Sequence, residues 1–199
     1  MPQEIELKLA LPVRQAPHLR RHPLLAGIPA SKRCLRNLYF DTPEQLLRQH
    51  RIALRRRQIG ARWLLTVKTA EHAATGLSRR YEWEYPLPPD QLDFSPIDAP
   101  AVRHLLETHA PRLQLAFRTD FVRTAWQLEH AGARIELALD LGYIRTHSRR
   151  AALHEVELEL IAGPEASLAA LAAQLRQSLP LTPLDPSKAA RGFALLTQA

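Results

Sequence analysis

The 199-residue sequence predicts an α+β fold, an eight-stranded antiparallel closed β-barrel with a charged lumen and helices packed outside. Three observations predict it. Strand-length segments alternate between apolar and ionised residues, so that most strands have one apolar and one charged face. Helical segments have apolar stripes that need an apolar sheet face to cover them. Like charges also follow one another along single faces, which favours ligand binding over contact with water.

Length and composition are those of an ordinary globular domain. With 46% hydrophobic and 24% charged residues the chain can bury a core, and its length fits one domain over positions 1–199. No apolar run has transmembrane length, and the first strand begins so close to Met1 that we expect no cleaved leader. A single cysteine, Cys34, excludes an internal disulfide and suits a reducing cytoplasm. We therefore expect a cytoplasmic protein without a membrane partner.

The formal net charge of +7 favours anionic partners. Nucleic acid is the usual partner of so basic a chain, but here the basic residues alternate with carboxylates instead of forming a patch. Aromatic residues, at 6%, are also too few for a platform on which bases could stack. A small, dense polyanion fits better than nucleic acid. The sequence leaves open whether the chain is a monomer or a homodimer.

The first half of the chain predicts five strands. Strand 3–11 is followed by a short basic helix or loop around 17–25 and by strand 33–40, which ends in the turn and helix-start signal Asp41-Thr42-Pro43. A short helical connection at 44–50 leads to the next three strands, at 52–59, 62–69 and 77–85. Gly60-Ala61 predicts a tight hairpin between the first two of these, and 72–76 a looser link.

The second half predicts three more strands. The proline-rich segment 86–100 ends the first series, before a helix at 101–109. Strands follow at 115–129, 133–143 and 152–161. Gly163-Pro164 opens a helix at 165–178, because proline in the first helical position loses no hydrogen bond. A last helix follows at 188–196. Eight strands in two sets, with a helix after each set, make one α+β domain.

The ionised faces point to a site. In Glu4-Ile5-Glu6-Leu7-Lys8-Leu9 the three charged side chains share one face of the strand. The pattern recurs at 80–84, 134–140 and 155–159, and strands 52–59 and 62–69 add further bases. The residues of these faces are Glu4, Glu6, Lys8, Arg55, Arg57, Lys68, Arg80, Glu82, Glu84, Arg134, Glu136, Asp140, Glu155, Glu157 and Glu159.

Two arrangements fit these faces. In a sandwich, the apolar faces form the core and the ionised faces meet water, with no function implied. In a barrel, the ionised faces line the lumen, and eight strands leave room for one small ligand. On a solvated face, neighbouring like charges would repel one another, as in Glu155, Glu157 and Glu159 and in Arg55 and Arg57. We therefore favour the barrel. The carboxylates would then hold a divalent cation, and the bases an anion.

With these motifs the chain resembles the CYTH superfamily, the triphosphate tunnel metalloenzymes. Glu4-x-Glu6-x-Lys8 resembles the family's ExExK signature. Six more segments resemble the family's, in the family's order: 38–42, 54–57, 66–68, 139–142, 155–159 and 187–192. The resemblance covers nearly the whole chain and is greatest to bacterial inorganic triphosphatases in which a CYTH domain precedes a helical CHAD domain. We recognise no CHAD domain, so we expect a stand-alone enzyme or an N-terminal piece.

The resemblance implies a tunnel that hydrolyses inorganic triphosphate (tripolyphosphate) to pyrophosphate and phosphate with Mg²⁺ or Mn²⁺. Metal ligands would be Glu4, Glu6, Glu155, Glu157 and Glu159, with no means to tell which of the last three bind. A second metal or an oriented water would involve Glu82, Glu84, Glu136 and Asp140. Phosphate would be held by Lys8, Arg55, Arg57, Lys68, Arg80, Arg123 and Lys188, although Arg80 could instead neutralise glutamates. The catalytic set would be Lys8, Arg55, Arg57, Lys68, Arg123, Asp140 and Lys188.

The expected mechanism is metal-assisted hydrolysis of a terminal phosphoanhydride, in which bases and metal neutralise the transferring phosphoryl group while water attacks. The same tunnel would suit a class IV adenylyl cyclase or a thiamine triphosphatase, although no aromatic cluster is evident for an organic group. A non-catalytic polyphosphate-binding module is the third alternative. Such a module, however, gains nothing from carboxylates in its site.

Overall fold

The computed structural model describes residues 3–69 and 73–197, in which ten strands form one sheet. The strand bounds are β1 (Gln3–Ala10), β2 (Ser31–Asp41), β3 (Ile52–Ile59), β4 (Arg62–Thr69), β5 (Ala73–Ala74), β6 (Leu77–Pro86), β7 (Gln114–His130), β8 (Ala133–Arg145), β9 (Arg150–Ala162) and β10 (Thr182–Pro183). All the pairings between them are antiparallel.

Pairing of β1 with β6 closes eight of these strands into a barrel. Around the barrel the strands follow one another as β1, β9, β8, β7, β2, β3, β4 and β6. Because each of the eight has two neighbours, the barrel has no unpaired edge. The two-residue strands β5 and β10 add to β6 and β1 outside this ring. The predicted closed eight-stranded antiparallel barrel is confirmed, and the sandwich alternative is wrong.

In the described residues, five α-helices accompany the barrel. They are α1 (Ala16–Arg20), α2 (Leu46–Gln49), α3 (Pro100–His109), α4 (Ala166–Arg176) and α5 (Lys188–Thr197), with short 3₁₀ segments at Val13–Gln15, Pro23–Leu25 and Ala110–Arg112. No helix in the described part of the chain has the length and apolar character needed to cross a membrane.

Two apolar clusters lie on the outside of the barrel. The first joins α1 and α4 to the outer faces of β1, β7, β8 and β9, and includes the fully buried Leu19, Leu168 and Leu175. The second packs Leu106 of α3 against the outer faces of β3, β4 and β6. Each such leucine contributes on the order of 2 kcal/mol by leaving water. The apolar faces of the strands are therefore covered by helices, and the ionised faces are directed inward.

Helix α5 differs, because its apolar side chains enter one end of the barrel. Phe193 and Leu195 pack with lumen-facing residues of β2, β7, β8 and β9, namely Leu35, Tyr39, Phe117, Phe121, Ile144 and Leu153. The Phe193 and Phe117 rings meet edge to face, with centroids 5.1 Å apart. A Cβ at position 192 would lie 2.1 Å from the Phe117 ring, so glycine is required for this approach. The prediction of helices packed outside the barrel is confirmed for α1, α3 and α4, and α5 packs on lumen-facing residues that are apolar at this end.

Most predicted elements agree with the structure. Strands 52–59 and 62–69 are observed with those bounds, and Gly60 adopts a φ of 59° in the hairpin between them. The helical segment expected around 17–25 is a short α1 followed by a 3₁₀ turn, and the connection expected at 44–50 contains only the four residues of α2. Of the link predicted at 72–76, residue 72 lies outside the described residues, and 73–76 contains β5 and a turn.

Candidate active site

The barrel encloses a cavity of about 530 Å³. All eight barrel strands contribute side chains to its wall, and further lining residues come from the α2–β3 segment and from the start of α5. A volume of this size falls in the range typical of small-molecule sites. The lining is dominated by ionised groups, as the alternating strand pattern predicted.

Acids and bases occupy opposite halves of this wall. Four consecutive strands, β6, β1, β9 and β8, carry its carboxylates: Glu82, Glu84, Glu4, Glu6, Glu157, Glu159 and Glu136. The other four, β7, β2, β3 and β4, carry the bases Arg123, Arg33, Arg55, Arg57 and Lys68. Two bases, Lys8 and Arg80, lie among the acids. A ligand in the cavity therefore has carboxylates on one side and cations on the other.

Near β1, Lys68 connects the basic half to the acidic half, and Arg80 pairs with carboxylates inside the acidic half. The Lys68 ammonium lies 3.0 Å from Glu4 and 2.9 Å from Glu82. The Arg80 guanidinium donates to Glu4 at 2.5 Å and also to Glu6. Although burial opposes the charge of Arg80, Glu6 and Glu4 raise its pKa above the usual arginine value. Arg80 thus neutralises neighbouring glutamates, which was the alternative role considered for it.

The β3 arginines are held by carboxylates of β6. Arg57 lies 3.2 Å from Glu84, which also accepts a hydrogen bond from Thr66 at 2.7 Å, and Arg55 lies 3.5 Å from both Glu82 and Glu84. Burial would raise the pKa of Glu84, but Arg57 and Arg55 outweigh it and lower the pKa to about 2. Burial and the neighbouring Arg55 lower the pKa of Arg57. This side of the wall would therefore be stabilised by an added anion.

Lys188 is the centre of a buried ionic cluster at the start of α5. Its ammonium lies 2.8 Å from Asp140 and 2.7 Å from Glu157, and it also contacts Glu155. The oxygens of these three carboxylates lie within 4.8 Å of one another, a spacing that suits a cation, but the position is already filled by the lysine. Although burial disfavours the charged carboxylate, Lys188 and Arg123 lower the pKa of Glu157 well below its usual value.

Asp140 and Glu155 lie below the cavity wall. Both are fully buried, and neither is among the residues that line the cavity. Asp140 accepts two hydrogen bonds from Arg123, at 2.8 and 2.7 Å, and Glu155 accepts one from Arg191. The structure thus places these two predicted site residues where they orient Lys188 and Arg123.

A row of three carboxylates crosses the acidic half. Glu6 of β1 is directly opposite Glu159 of β9, which is directly opposite Glu136 of β8. Glu6 contacts Lys8 and Arg80, whereas Glu136 and Glu159 have no ion pair with any residue in 3–69 and 73–197. Burial, together with the nearby Glu4, raises the pKa of Glu159 to about 7. Like charges directly opposite one another destabilise a sheet. Carboxylate oxygens are the ligands that a hard divalent cation prefers, so the chemistry of this row suits such a cation, although its three carboxylates do not converge as closely as those of Asp140, Glu155 and Glu157.

The structure brings together nearly all of the predicted site residues. The lining includes Glu4, Glu6, Lys8, Arg55, Arg57, Lys68, Arg80, Glu82, Glu84, Arg123, Glu136, Glu157, Glu159 and Lys188. Sequence reasoning missed the lining residues Arg33, Arg48 and Arg51 and the buried partner Arg191. No sequence signal marked Arg33, since it shares a strand face with the apolar Leu35 and Tyr39, and a face of that kind was expected outside the barrel. Arg48 and Arg51 precede β3, where no strand parity applies.

Comparisons with known proteins agree with this geometry. The sequence profile of the CYTH domain matches residues 2–193. An inorganic triphosphatase from Haemophilus influenzae is 32% identical over 199 residues, which cover 98% of this chain and 55% of that protein. The chain thus spans about half the length of this curated relative.

Two solved structures are similar in fold. One is a candidate adenylyl cyclase from Hippeastrum that is described as revealing a dominant triphosphatase activity. It has a TM-score of 0.70 and 22% identity, covering 98% of this chain and 100% of that chain. The other, a candidate adenylate cyclase from Bacillus halodurans, has a TM-score of 0.55 and 18% identity, covering 89% of this chain and 91% of that one.

Proposed function

The chain belongs to the CYTH domain family, and on that premise we propose that it is a divalent-metal-dependent triphosphatase that hydrolyses inorganic tripolyphosphate to pyrophosphate and phosphate. The observation that carries the proposal is the division of one cavity into an acidic and a basic half. Tripolyphosphate is a compact polyanion whose phosphates need cationic partners. The name of the Haemophilus influenzae relative supports the same substrate class.

The basic half would hold the phosphate groups. Arg55, Arg57 and Lys68 lie on the adjacent strands β3 and β4, Arg123 lies on β7 in the same half, and Lys188 adds a cation from the start of α5. Arginine presents a planar fork that matches two phosphate oxygens, whereas lysine acts as a point charge. Preorganised cations aimed at the transferring phosphoryl group stabilise the charge that accumulates on its oxygens. These side chains need no covalent step of their own.

The acidic half would hold the metal. The family implies a divalent cation, and we assign it to Glu6, Glu159 and Glu136, with Glu4 and Glu157 beside them. When bound, the cation supplies charge neutralisation to the phosphate oxygens and lowers the pKa of coordinated water. Mg²⁺ and Mn²⁺ both suit carboxylate ligands. Glu82 and Glu84 are engaged by Lys68, Arg55 and Arg57, and their proposed role is to position these bases.

Ion-pair exchange would connect the two binding events. The carboxylates of Glu4 and Glu157 are neutralised by the protein's own cations Lys68, Arg80, Arg123 and Lys188. Substrate phosphates can take over these cations, which leaves the carboxylates free for a metal. In a protein that only binds anions, the row of Glu6, Glu159 and Glu136 would be a disadvantage, because its negative charge repels anions. Hydrolysis therefore explains the carboxylates better than a binding module does.

A phosphate-release assay tests the proposal. Tripolyphosphate, pyrophosphate, ATP and thiamine triphosphate would each be incubated with Mg²⁺ or Mn²⁺. Tripolyphosphate should release phosphate in a metal-dependent way. Arg57→Ala should lower the rate about a hundredfold, the typical effect of removing one preorganised donor. Arg56→Ala is the matched control, because Arg56 lies next to Arg57 on the outer face and donates to the Gln91 carbonyl at 2.6 Å.

A second pair of variants tests the acidic row. Glu159→Gln should abolish most metal-dependent turnover, whereas Glu129→Gln, at an exposed glutamate of β7, should not. Conversion of ATP to cyclic AMP with tripolyphosphate left intact would refute the proposal in favour of a cyclase. Tight tripolyphosphate binding without turnover under either metal would instead indicate a binding module.

A further inference from the structure

Three arginines on the cavity wall differ from the other cations there. Lys8, Arg55, Arg57, Lys68, Arg80, Arg123 and Lys188 each have at least one carboxylate within ion-pair distance. Arg33, Arg48 and Arg51 also line the cavity and are exposed, yet none forms an ion pair with a described residue. They are therefore available to an external anion.

Arg48 and Arg51 lie together at one end of the cavity. Arg48 is in the last turn of α2, and Arg51 comes immediately before β3, whose inner face continues with Ala53, Arg55 and Arg57. Arg33 lies towards the opposite end, since it is beyond the pairing of Leu35 with Ile59. Because Arg48 and Arg51 both line the cavity and are exposed, the cavity reaches the surface beside them, and Arg51 lies about 13 Å along the extended chain from Arg55 at 3.3 Å per residue.

The Arg48 guanidinium is held in place without being neutralised. It lies 5.3 Å from the centre of the Phe193 ring, and one amino group donates to the Gln45 side chain at 2.7 Å. An arginine side chain has five N–H donors, so most of them stay free. The preceding backbone is fixed by Asp41, which accepts hydrogen bonds from Leu47 N and Arg48 N at 2.9 and 3.0 Å. A cation is therefore presented from a rigid support.

Arg51 has an unfavourable backbone conformation. Its φ is 57°, in the left-handed region, which is unfavourable for a residue with a side chain. Glycine would avoid that cost in this connection. Strained residues of this kind are concentrated at functional sites. Here the strained residue is also an exposed arginine on the cavity wall without an acidic partner among the described residues.

We infer that Arg48 and Arg51 form an entrance subsite for phosphate groups of linear polyphosphates longer than tripolyphosphate. The inner cations bind the end of the chain, and the two entrance arginines bind phosphates that extend beyond it. This inference rests on the proposed function and adds chain length to its substrate class. The subsite makes longer chains bind more tightly than the three-unit substrate.

Chain-length dependence is the measurement that tests the subsite. Linear polyphosphates of increasing length would be compared by kcat/KM with metal, and by titration calorimetry without metal. In Arg48→Gln/Arg51→Gly, the preference for long chains over tripolyphosphate should fall about tenfold, since each exposed ionic contact contributes up to about 1 kcal/mol. Ala131→Gly controls for strain relief, because Ala131 also has a left-handed φ, 48°, and does not line the cavity. Arg20→Gln/Arg21→Gln, at two exposed arginines outside the cavity wall, controls for the loss of two positive charges.

The possible outcomes separate this inference from the proposed function. A reduced preference for long chains in the double variant, with neither control reproducing it, supports the subsite. An equal loss at every chain length overturns it, because the arginines then only attract anions in general. No change in the preference also overturns it. If wild-type protein hydrolyses none of the chains, the proposed function fails, whereas the calorimetric chain-length dependence still decides for or against the subsite.

Discussion

Replacing Lys188 by methionine should destabilise the fold much more than the loss of a surface ion pair would. The lysine lies among Asp140, Glu155 and Glu157, and the first two of these carboxylates are fully buried. Methionine keeps an unbranched side chain of similar length but removes the charge. Asp140 and Glu155 then each retain one arginine, Arg123 and Arg191 respectively, and lose the cation between them.

The size of the effect follows from burial. Removing one partner of a buried ion pair costs about 3–5 kcal/mol, against about 0–1 kcal/mol for an exposed pair. Because each buried carboxylate keeps one arginine, we expect the lower end, about 3 kcal/mol. With an m-value of about 3 kcal/mol per molar urea, the unfolding midpoint should fall by about 1 M.

Urea unfolding followed by tryptophan fluorescence and by far-ultraviolet circular dichroism measures this change. Lys32→Met is the matched control, because Lys32 is exposed on β2, and its loss should cost less than about 0.5 kcal/mol. Adding Glu155→Gln to Lys188→Met should restore part of the lost stability, since it removes one of the buried carboxylate charges that Lys188 neutralises. A loss below about 1 kcal/mol for Lys188→Met, or no recovery in the double variant, would refute the reasoning.

Three further predictions concern stability. Gly192→Ala should lower the free energy of unfolding by about 1–3 kcal/mol, because the alanine Cβ would lie 2.1 Å from the Phe117 ring. An unchanged urea midpoint would show that α5 can shift freely. Asp41→Ala should lower the free energy of unfolding by about 2 kcal/mol and Tm by about 4–8 °C, since three backbone N–H groups lose their acceptor. Calorimetry measures this change, and a Tm within 1 °C of wild type would contradict it. The loss of stability caused by Glu84→Gln should depend on pH. Burial opposes its charge, but Arg57 and Arg55 lower the Glu84 pKa to about 2 from 4.5, so its stabilisation is present above pH 4.5 and is lost as the pH falls towards 2. The difference in unfolding free energy between wild type and Glu84→Gln should shrink over that interval, and a constant difference would contradict the ion pairing.

Much of the barrel could be predicted from local pattern. Alternation at 4–9 and 155–160 assigns each side chain to one of two faces, because successive residues of a strand point in opposite directions. The Gly60-Ala61 hairpin was likewise predictable, since glycine adopts the positive φ that the turn needs. These features depend on neighbours in sequence, which is why they can be read without tertiary structure.

The pairing of charges could not be predicted in this way. The sequence could not tell which of Glu155, Glu157 and Glu159 would face a metal, because all three share one face. The structure separates them by depth and by partners: Glu155 is buried against Lys188 and Arg191, Glu157 lies between Lys188 and Arg123, and Glu159 has no cation partner among the described residues.

The sequence by itself thus determined the strands, their charged faces and the family they resemble, because these follow from residue type and spacing. Only the tertiary structure decided which strands are neighbours, and with them the division of the lumen into acidic and basic halves. It also decided that apolar side chains of α5 enter one end of the barrel and that Arg48 and Arg51 line the cavity. Coulomb interactions fall with distance through space, regardless of separation along the chain. The contacts of Lys188 with Asp140 and Glu157 therefore exist only once the barrel has closed.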